Sequence, residues 1–270
     1  MSTPLFVIGA PRSGTTFFTT SMNSHPQVFL TNELRAWNAI VLVSNRLANQ
    51  SEVLPAHMLR DAYRDSVEQA LVDNLRTFYR DNVNKTNLGC PTPGHQHYFR
   101  RIKVFGDKNP GYADANNANG LQTMDRLMPD AKFIHVHRDP RSCVASYLNI
   151  DVYPDDLGTA IDIWLRHART AAEFIDTLDP DRVRTVRYET WVSENVEPVV
   201  EDLMSFLEVD DVPAVSKFLA QERVKRTPYR SPSTPQDKLG TTRYEETLSP
   251  DQVKHIETRC GDLMNRFGYL

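Results

Sequence analysis

The chain of 270 residues is poor in cysteine: Cys90, Cys143 and Cys260 are far apart, odd in number and form no C-x-x-C pair. That pattern argues against a disulfide scaffold or a cysteine-based zinc site and points to a reducing compartment. An excess of one sign of charge is also lacking. Thirty-one Lys and Arg stand against 35 Asp and Glu, a formal net charge of -4, which argues against a dedicated nucleic-acid or membrane-surface protein. No apolar run approaches bilayer-spanning length, and residues 1–9 are too short and uncharged for a secretory signal. The expectation is a soluble, cytoplasmic protein without a membrane span. No internal repeat or linker marks a second domain, so residues 1–270 are expected to fold as one.

The most informative absence is a single lysine. "FVIGAPRSGTTFF" has the G-x-x-x-x-G spacing of a phosphate-binding loop in Gly9 and Gly14 and the hydroxyl in Thr16, but Thr15 stands where the lysine belongs. A glycine-rich turn entering a helix points backbone N–H groups at an anion, and the helix dipole favours negative charge there. Ser13, Thr15 and Thr16 add hydroxyls, and Arg12 offers the positive charge. The plainer reading is a tight strand-to-helix turn. A Mg²⁺-dependent triphosphate enzyme also needs a strand-end aspartate for its metal. Here "KVFGDK" sets Asp107 beside a lysine and "FIHVHRD" sets Arg138 before Asp139. A metal site of that kind is disfavoured, and a P-loop kinase remains the alternative.

What the chain does contain is an alternation of strands and helices. "LFVIG", "QVFLTNE", "IKVFGDKNP", "AKFIHVHRDP" and "RVRTVRYET" read as strands. Residues 15–23, 34–48 and 56–82 read as helices, as does the tail from "SPDQV", with a serine N-cap and a proline at the first helical position. The expected fold is α/β, a parallel β-sheet flanked by helices, of the P-loop nucleotide-binding type. In such sheets ligands bind beyond the carboxyl ends of the strands. Arg12–Thr16, Glu33, Lys108 and Arg138 all fall at such ends. Residues 84–101 are rich in loop-formers and read as an excursion over the site, while 227–244 read as a lid or binding loop.

These residues carry a family resemblance. "GAPRSGTTFF" resembles the 5′-phosphosulfate-binding loop of sulfotransferases that use 3′-phosphoadenylyl sulfate (PAPS), and "FIHVHRDPRSCVASYL" resembles their 3′-phosphate motif. The latter supplies Arg138 and, eight residues on, Ser146. An arginine fork and a helical hydroxyl two turns away suit a phosphate. The pattern is most similar to the tyrosylprotein sulfotransferase type and its bacterial relatives: "PRSGTT", then "HP", then Glu33 and Arg35, then Lys108 before a proline in "GDKNP", then Tyr188 and Glu189 at a strand end. The resemblance covers roughly residues 4–36, 102–150 and 183–208, whereas 50–100 match no part of the pattern, so acceptor choice is expected there.

The resemblance implies PAPS as donor, no metal, and an acceptor that is a small molecule, glycan, lipid or peptide; it leaves a homodimer open. It implies Glu33 as the base taking the acceptor proton, Lys108 on the leaving oxygen, and Arg12 on the phosphate or sulfonate. Arg35 would face the acceptor, Tyr188 the adenine, and Arg243, with Arg230, Ser231, Ser233 and Lys238, would close from the late loop. Plainer readings stand beside these: Glu33 as an acid near a helix start, Lys108 as a surface lysine paired with Asp107, and Tyr188 as core. Among the histidines, His135 and His137 read as core or edge positions, His95 and His97 as loop residues, and His25 as a helix-ending residue.

Overall fold

A computed structural model describes residues 2–49, 57–83, 102–114, 119–153, 155–210, 213–224 and 244–270. The stretch 84–101, and with it His95 and His97, lies outside them, as do residues 225–243 of the late loop with Arg243.

Five strands form the sheet: β1 (Thr3–Ile8), β2 (Val28–Asn32), β3 (Val104–Lys108), β4 (Lys132–His137) and β5 (Val183–Arg187). Their order is β2-β3-β1-β4-β5, and each neighbouring pair is parallel. The helices are α1 (Thr15–Met22), α2 (Ala36–Asn49), α3 (His57–Val83), α4 (Gly120–Leu127), α5 (Pro140–Leu148), α6 (Leu157–Ile175), α7 (Tyr188–Trp191), α8 (Glu197–Leu207), α9 (Ala214–Val224), α10 (Tyr244–Thr247) and α11 (Pro250–Arg266). The segments expected as strands and helices are the ones found, with helix ends displaced by one or two residues.

Side-chain alternation along the strands divides the core in two. Leu5 and Val7 of β1 join Phe18, Ile134, Val136 and Trp191 on the face covered by α1, α8 and α9. Phe6 and Ile8 join Phe105, Phe133, Trp37, Tyr79 and Tyr112 on the face covered by α2, α3 and α4. A strand apolar on both sides is thereby buried on both, as "LFVI" requires. The late helices add a third cluster, in which Val144 and Tyr147 of α5 meet Trp164 of α6 and Ile256 and Met264 of α11. The expected serine cap stands at the start of α11, where Ser249 and Gln252 form a capping box.

Parallel strands all end on one side. β1 is the middle strand. The chain passes from it to the edge strand β2, returns to β3 beside β1, and then crosses to β4 on the other flank, so the crevice at the carboxyl end of β1 opens between two oppositely wound halves. The polar residues singled out in the sequence converge there.

Candidate active site

The loop from Gly9 to Gly14 connects β1 to α1, and its conformation is held from outside. Gly14 caps α1 with φ 87°, a left-handed backbone in which a Cβ would meet the Tyr188 ring at 2.1 Å. Glycine is required there both for the turn and for the approach of Tyr188. Arg12 is also left-handed, at φ 65°, at a cost of about 1–2 kcal/mol for a residue with a Cβ. The Tyr147 hydroxyl donates to the carbonyl of Pro11 at 2.6 Å, and an Arg138 Nη donates to that of Arg12 at 3.2 Å. Tyr147 was not legible as a loop support, although it follows Ser146 directly.

The N-terminus of α1 is built differently from those of α5, α6 and α11. In the latter three, Asp139, Asp156 and Ser249 accept a hydrogen bond from the first turn. In α1 no side chain caps the first turn and no acid lies in it. The Ser13 hydroxyl is fully buried and has no hydrogen-bond partner among the described residues. Uncapped N–H groups and an orphaned hydroxyl, in a loop that carries Arg12 and is met by Arg138, form a cradle suited to an anion.

On the β4 flank, Arg12 Nε donates to the Ser146 hydroxyl at 3.0 Å, joining the phosphate loop to α5 across 134 residues. The Arg138 guanidinium lies over the Tyr188 ring at 4.8 Å. Burial raises the Tyr188 phenol pKa, against the opposing pull of Arg138. Glu189 accepts from the Asp139 amide at 3.0 Å and from the Tyr269 hydroxyl at 3.0 Å, so the carboxyl-terminal residues brace the turn that carries Tyr188. Here the structure brings together Arg12, Ser13, Gly14, Arg138, Ser146 and Tyr188.

On the β3 flank the missing loop lysine has a counterpart. Lys108, only 1% exposed, extends its ammonium to the Thr16 hydroxyl at 3.0 Å and to Glu33 Oε1 at 2.7 Å. Burial pushes the Lys108 pKa down, and the Glu33 carboxylate pulls it back up. Glu33 is 43% exposed, so the pair presents a carboxylate to solvent and keeps its cation behind. The plainer reading fails for Lys108, which is buried and has its ion pair with Glu33, while Glu33 lies three residues before α2, outside its first turn. Arg35 lies on the same turn and is exposed. Thr15 is buried at the first position of α1.

Two further residues border this flank. Asp107 is buried on the opposite face of β3, where it accepts from the hydroxyls of Thr31 and Tyr112 at 2.6 Å each. Tyr153 packs on Tyr147, ring centroids 4.8 Å apart. Burial raises its phenol pKa while Arg12 lowers and Glu33 raises it, which puts it within electrostatic reach of both.

His25, His135 and His137 are packed into the fold. His135 and His137 are buried beside Phe267, and desolvation lowers their pKa values to about 3 and about 4. His25 bridges the Asp210 carbonyl and the Gln27 amide. Among the described residues no cluster of three or more His, Cys, Asp or Glu is placed to hold a metal ion.

Comparison with known proteins agrees with this geometry. Residues 4–213 match the model of the sulfotransferase family. An uncharacterised protein of Aquifex aeolicus is 26% identical over 266 residues, covering 92% of this chain; the chain spans only 31% of that relative's length. Among solved structures, the sulfotransferase domain of the curacin biosynthetic pathway superposes with a TM-score of 0.58 at 16% identity, over 97% of this chain and 98% of that one. The sulfotransferase domain of the Synechococcus PCC 7002 olefin synthase gives 0.56 at 19% identity, covering 96% and 95%. Mouse sulfotransferase SULT7A1, solved with PAP, gives 0.50 at 12% identity, covering 97% and 84%. These likenesses establish the fold, and the family match sets aside the phosphotransferase alternative. With the cradle, the two arginines and the buried lysine in place, the chain belongs to the sulfotransferase family.

Proposed function

We propose that this chain, acting as one domain, transfers the sulfonate of PAPS to a hydroxyl, less readily an amine, of a small-molecule, glycan, lipid or peptide acceptor. The observation that carries this reading is Lys108, whose ammonium joins the first turn of α1 to the Glu33 carboxylate. The site fits the donor: an orphaned hydroxyl and uncapped amides suit its 5′-phosphosulfate, and Arg138 with Ser146 suits a 3′-phosphate. PAPS, when bound, supplies the sulfonate and leaves as adenosine 3′,5′-bisphosphate (PAP).

The protein's part is positioning and charge. Arg12, Ser13, Thr15, Thr16 and the loop amides bind and orient the transferring end. Tyr188 packs on the adenine side, and the family resemblance adds Arg243 as a cofactor contact. Lys108 holds a desolvated positive charge against negative charge developing on the leaving phosphate oxygen, where a preorganised donor counts most. Glu33, half-exposed, takes the acceptor's proton on a carboxylate oxygen. Arg35 steers the acceptor beside it. In the unliganded pair the Lys108 ammonium and the Glu33 carboxylate lie 2.7 Å apart, so neither charge stands alone. A cytoplasmic setting suits the free, buried thiols of Cys143 and Cys260.

Calorimetry with PAP, AMP and ATP in the absence of metal tests the donor. PAP is expected to bind most tightly; equal affinity for AMP would sink the 3′-phosphate assignment. A mass-spectrometric screen of hydroxylated acceptors for sulfonate gain, with PAPS present, then identifies the acceptor class.

A further inference from the structure

The turn that carries Glu33 has an unusual backbone. Glu33 and Arg35 both adopt left-handed conformations, φ 59° and 60°, with Leu34 between them. Neither glutamate nor arginine favours that region, so the turn must be stabilised by contacts beyond its own sequence. The β2–β3 ladder pairs Asn32 with Lys108, and the Glu33 amide adds one further rung by donating to the Lys108 carbonyl at 2.8 Å. Beyond this point the ladder ends. The Leu34 amide, turned inward by the left-handed residue before it, donates instead to Asp107 Oδ1 at 3.2 Å.

We propose that Asp107 is a positioning residue for catalysis: its buried carboxylate holds the strained Glu33–Arg35 turn and thereby keeps Glu33 on Lys108. This rests on the reading of Glu33 as the base. Neighbouring residues of β3 thus hold the turn from its two sides. Lys108 reaches the Glu33 side chain on the loop face, while Asp107 binds the Leu34 amide from the core face. The carboxylate is itself fixed. Thr31, its partner across the ladder, donates to Oδ1, and Tyr112 to Oδ2, both at 2.6 Å. Tyr79 of α3 stands 2.8 Å from the Thr31 hydroxyl, extending the network to the helix that leads into residues 84–101. Three donors converge on Asp107, two on Oδ1 and one on Oδ2, and make it an acceptor hub that ties the turn to the core.

The test has two readouts, one independent of any acceptor. In Thr31→Val, which keeps the side-chain shape, and in Asp107→Asn, hydrogen–deuterium exchange of the 33–36 amides should accelerate about tenfold or more relative to wild type. Exchange of the phosphate loop and affinity for PAP should stay within about twofold, which also shows that the variants fold. Unchanged exchange at the turn in both variants overturns the proposal.

With an acceptor from the screen, kcat of Asp107→Asn should fall about tenfold at unchanged acceptor KM, and the loss should vanish when Glu33 is already Gln. An equal loss in the Glu33→Gln background places the effect elsewhere and overturns the proposal. The two readings separate cleanly. A wild-type protein that transfers nothing while its variants loosen at 33–36 refutes the assigned reaction only. Transfer that survives Asp107→Asn undiminished refutes the positioning role only.

Discussion

The two flanks of the phosphate loop follow opposite electrostatic plans. On the β3–β2 side, charge meets charge: buried Lys108 is neutralised by half-exposed Glu33 at 2.7 Å. On the β4–β5 side, Arg138 meets neutral groups among the described residues, a backbone carbonyl and the face of Tyr188, and Arg12 Nε rests on the Ser146 hydroxyl. A carbonyl and a ring orient the Arg138 guanidinium without cancelling its charge, which suits a multiply charged anion. A salt bridge cancels its own charge until something displaces one partner. The neutral partners of the β4–β5 side suit binding, and the salt bridge of the β3–β2 side suits a step in which a carboxylate must be released to take a proton.

If that division holds, substitutions on the two sides separate turnover from affinity. Lys108→Met should lower kcat by about 10²–10³-fold, the loss seen when one preorganised donor is removed from a developing oxyanion. Glu33 stays partly solvated and an apolar chain of similar shape replaces a buried cation, so the melting temperature should change little. A large fall in PAP affinity in that variant would blur the comparison. Arg138→Ala should act the other way. PAP affinity should drop about ten- to a hundredfold, as expected for a charge-assisted contact, with AMP affinity unchanged. A parallel loss for AMP would move Arg138 off the 3′-phosphate.

Ser146→Ala should cost about two- to tenfold in PAP affinity, the range of one neutral hydrogen bond. Because Ser146 also fixes Arg12, a small loss of turnover should accompany it; unaltered affinity and turnover would make the hydroxyl purely structural.

The smallest effect concerns pH and stability on the β4 flank. Folded His135 and His137 titrate near 3 and 4, below their ordinary value of 6.5, because burial penalises the charged ring. Between those values and 6.5 the unfolded chain binds more protons than the folded one, so stability rises with pH across that window and falls on acidification. The melting temperature should therefore decline from pH 6.5 toward pH 4, and His135→Leu should flatten the decline. An unaltered slope in that variant would assign the acid sensitivity to other groups.

The flanks also differ in how much of each was legible beforehand. Arg138, Asp139 and Ser146 lie within nine residues on one strand–helix unit, and the loop from Gly9 to Thr16 is equally local. Such motifs are read directly because their spacing and their geometry are the same thing. The strand order could be anticipated only as a parallel sheet, since which strand lies beside β1 depends on how the helices pack. Glu33 and Lys108 were singled out separately, 75 residues apart. Their contact, and with it the answer to the missing lysine, exists only because β2 and β3 are neighbours in register.

By itself the sequence determined the α/β class, the glycine-flanked strand-to-helix loop without its lysine, the strand-end residues and the capped terminal helix. Each follows from local periodicity, turn chemistry or short-range spacing. Tertiary structure alone decided the rest: the burial of Lys108, the insertion of Tyr188 against Gly14, the bond between Arg12 and Ser146, and the grip of Asp107 on a turn with two left-handed residues. Nothing local favours a positive φ at glutamate or arginine. That conformation is stable only where a neighbouring strand supplies the acceptor its amide needs, and no short stretch of sequence contains its neighbour.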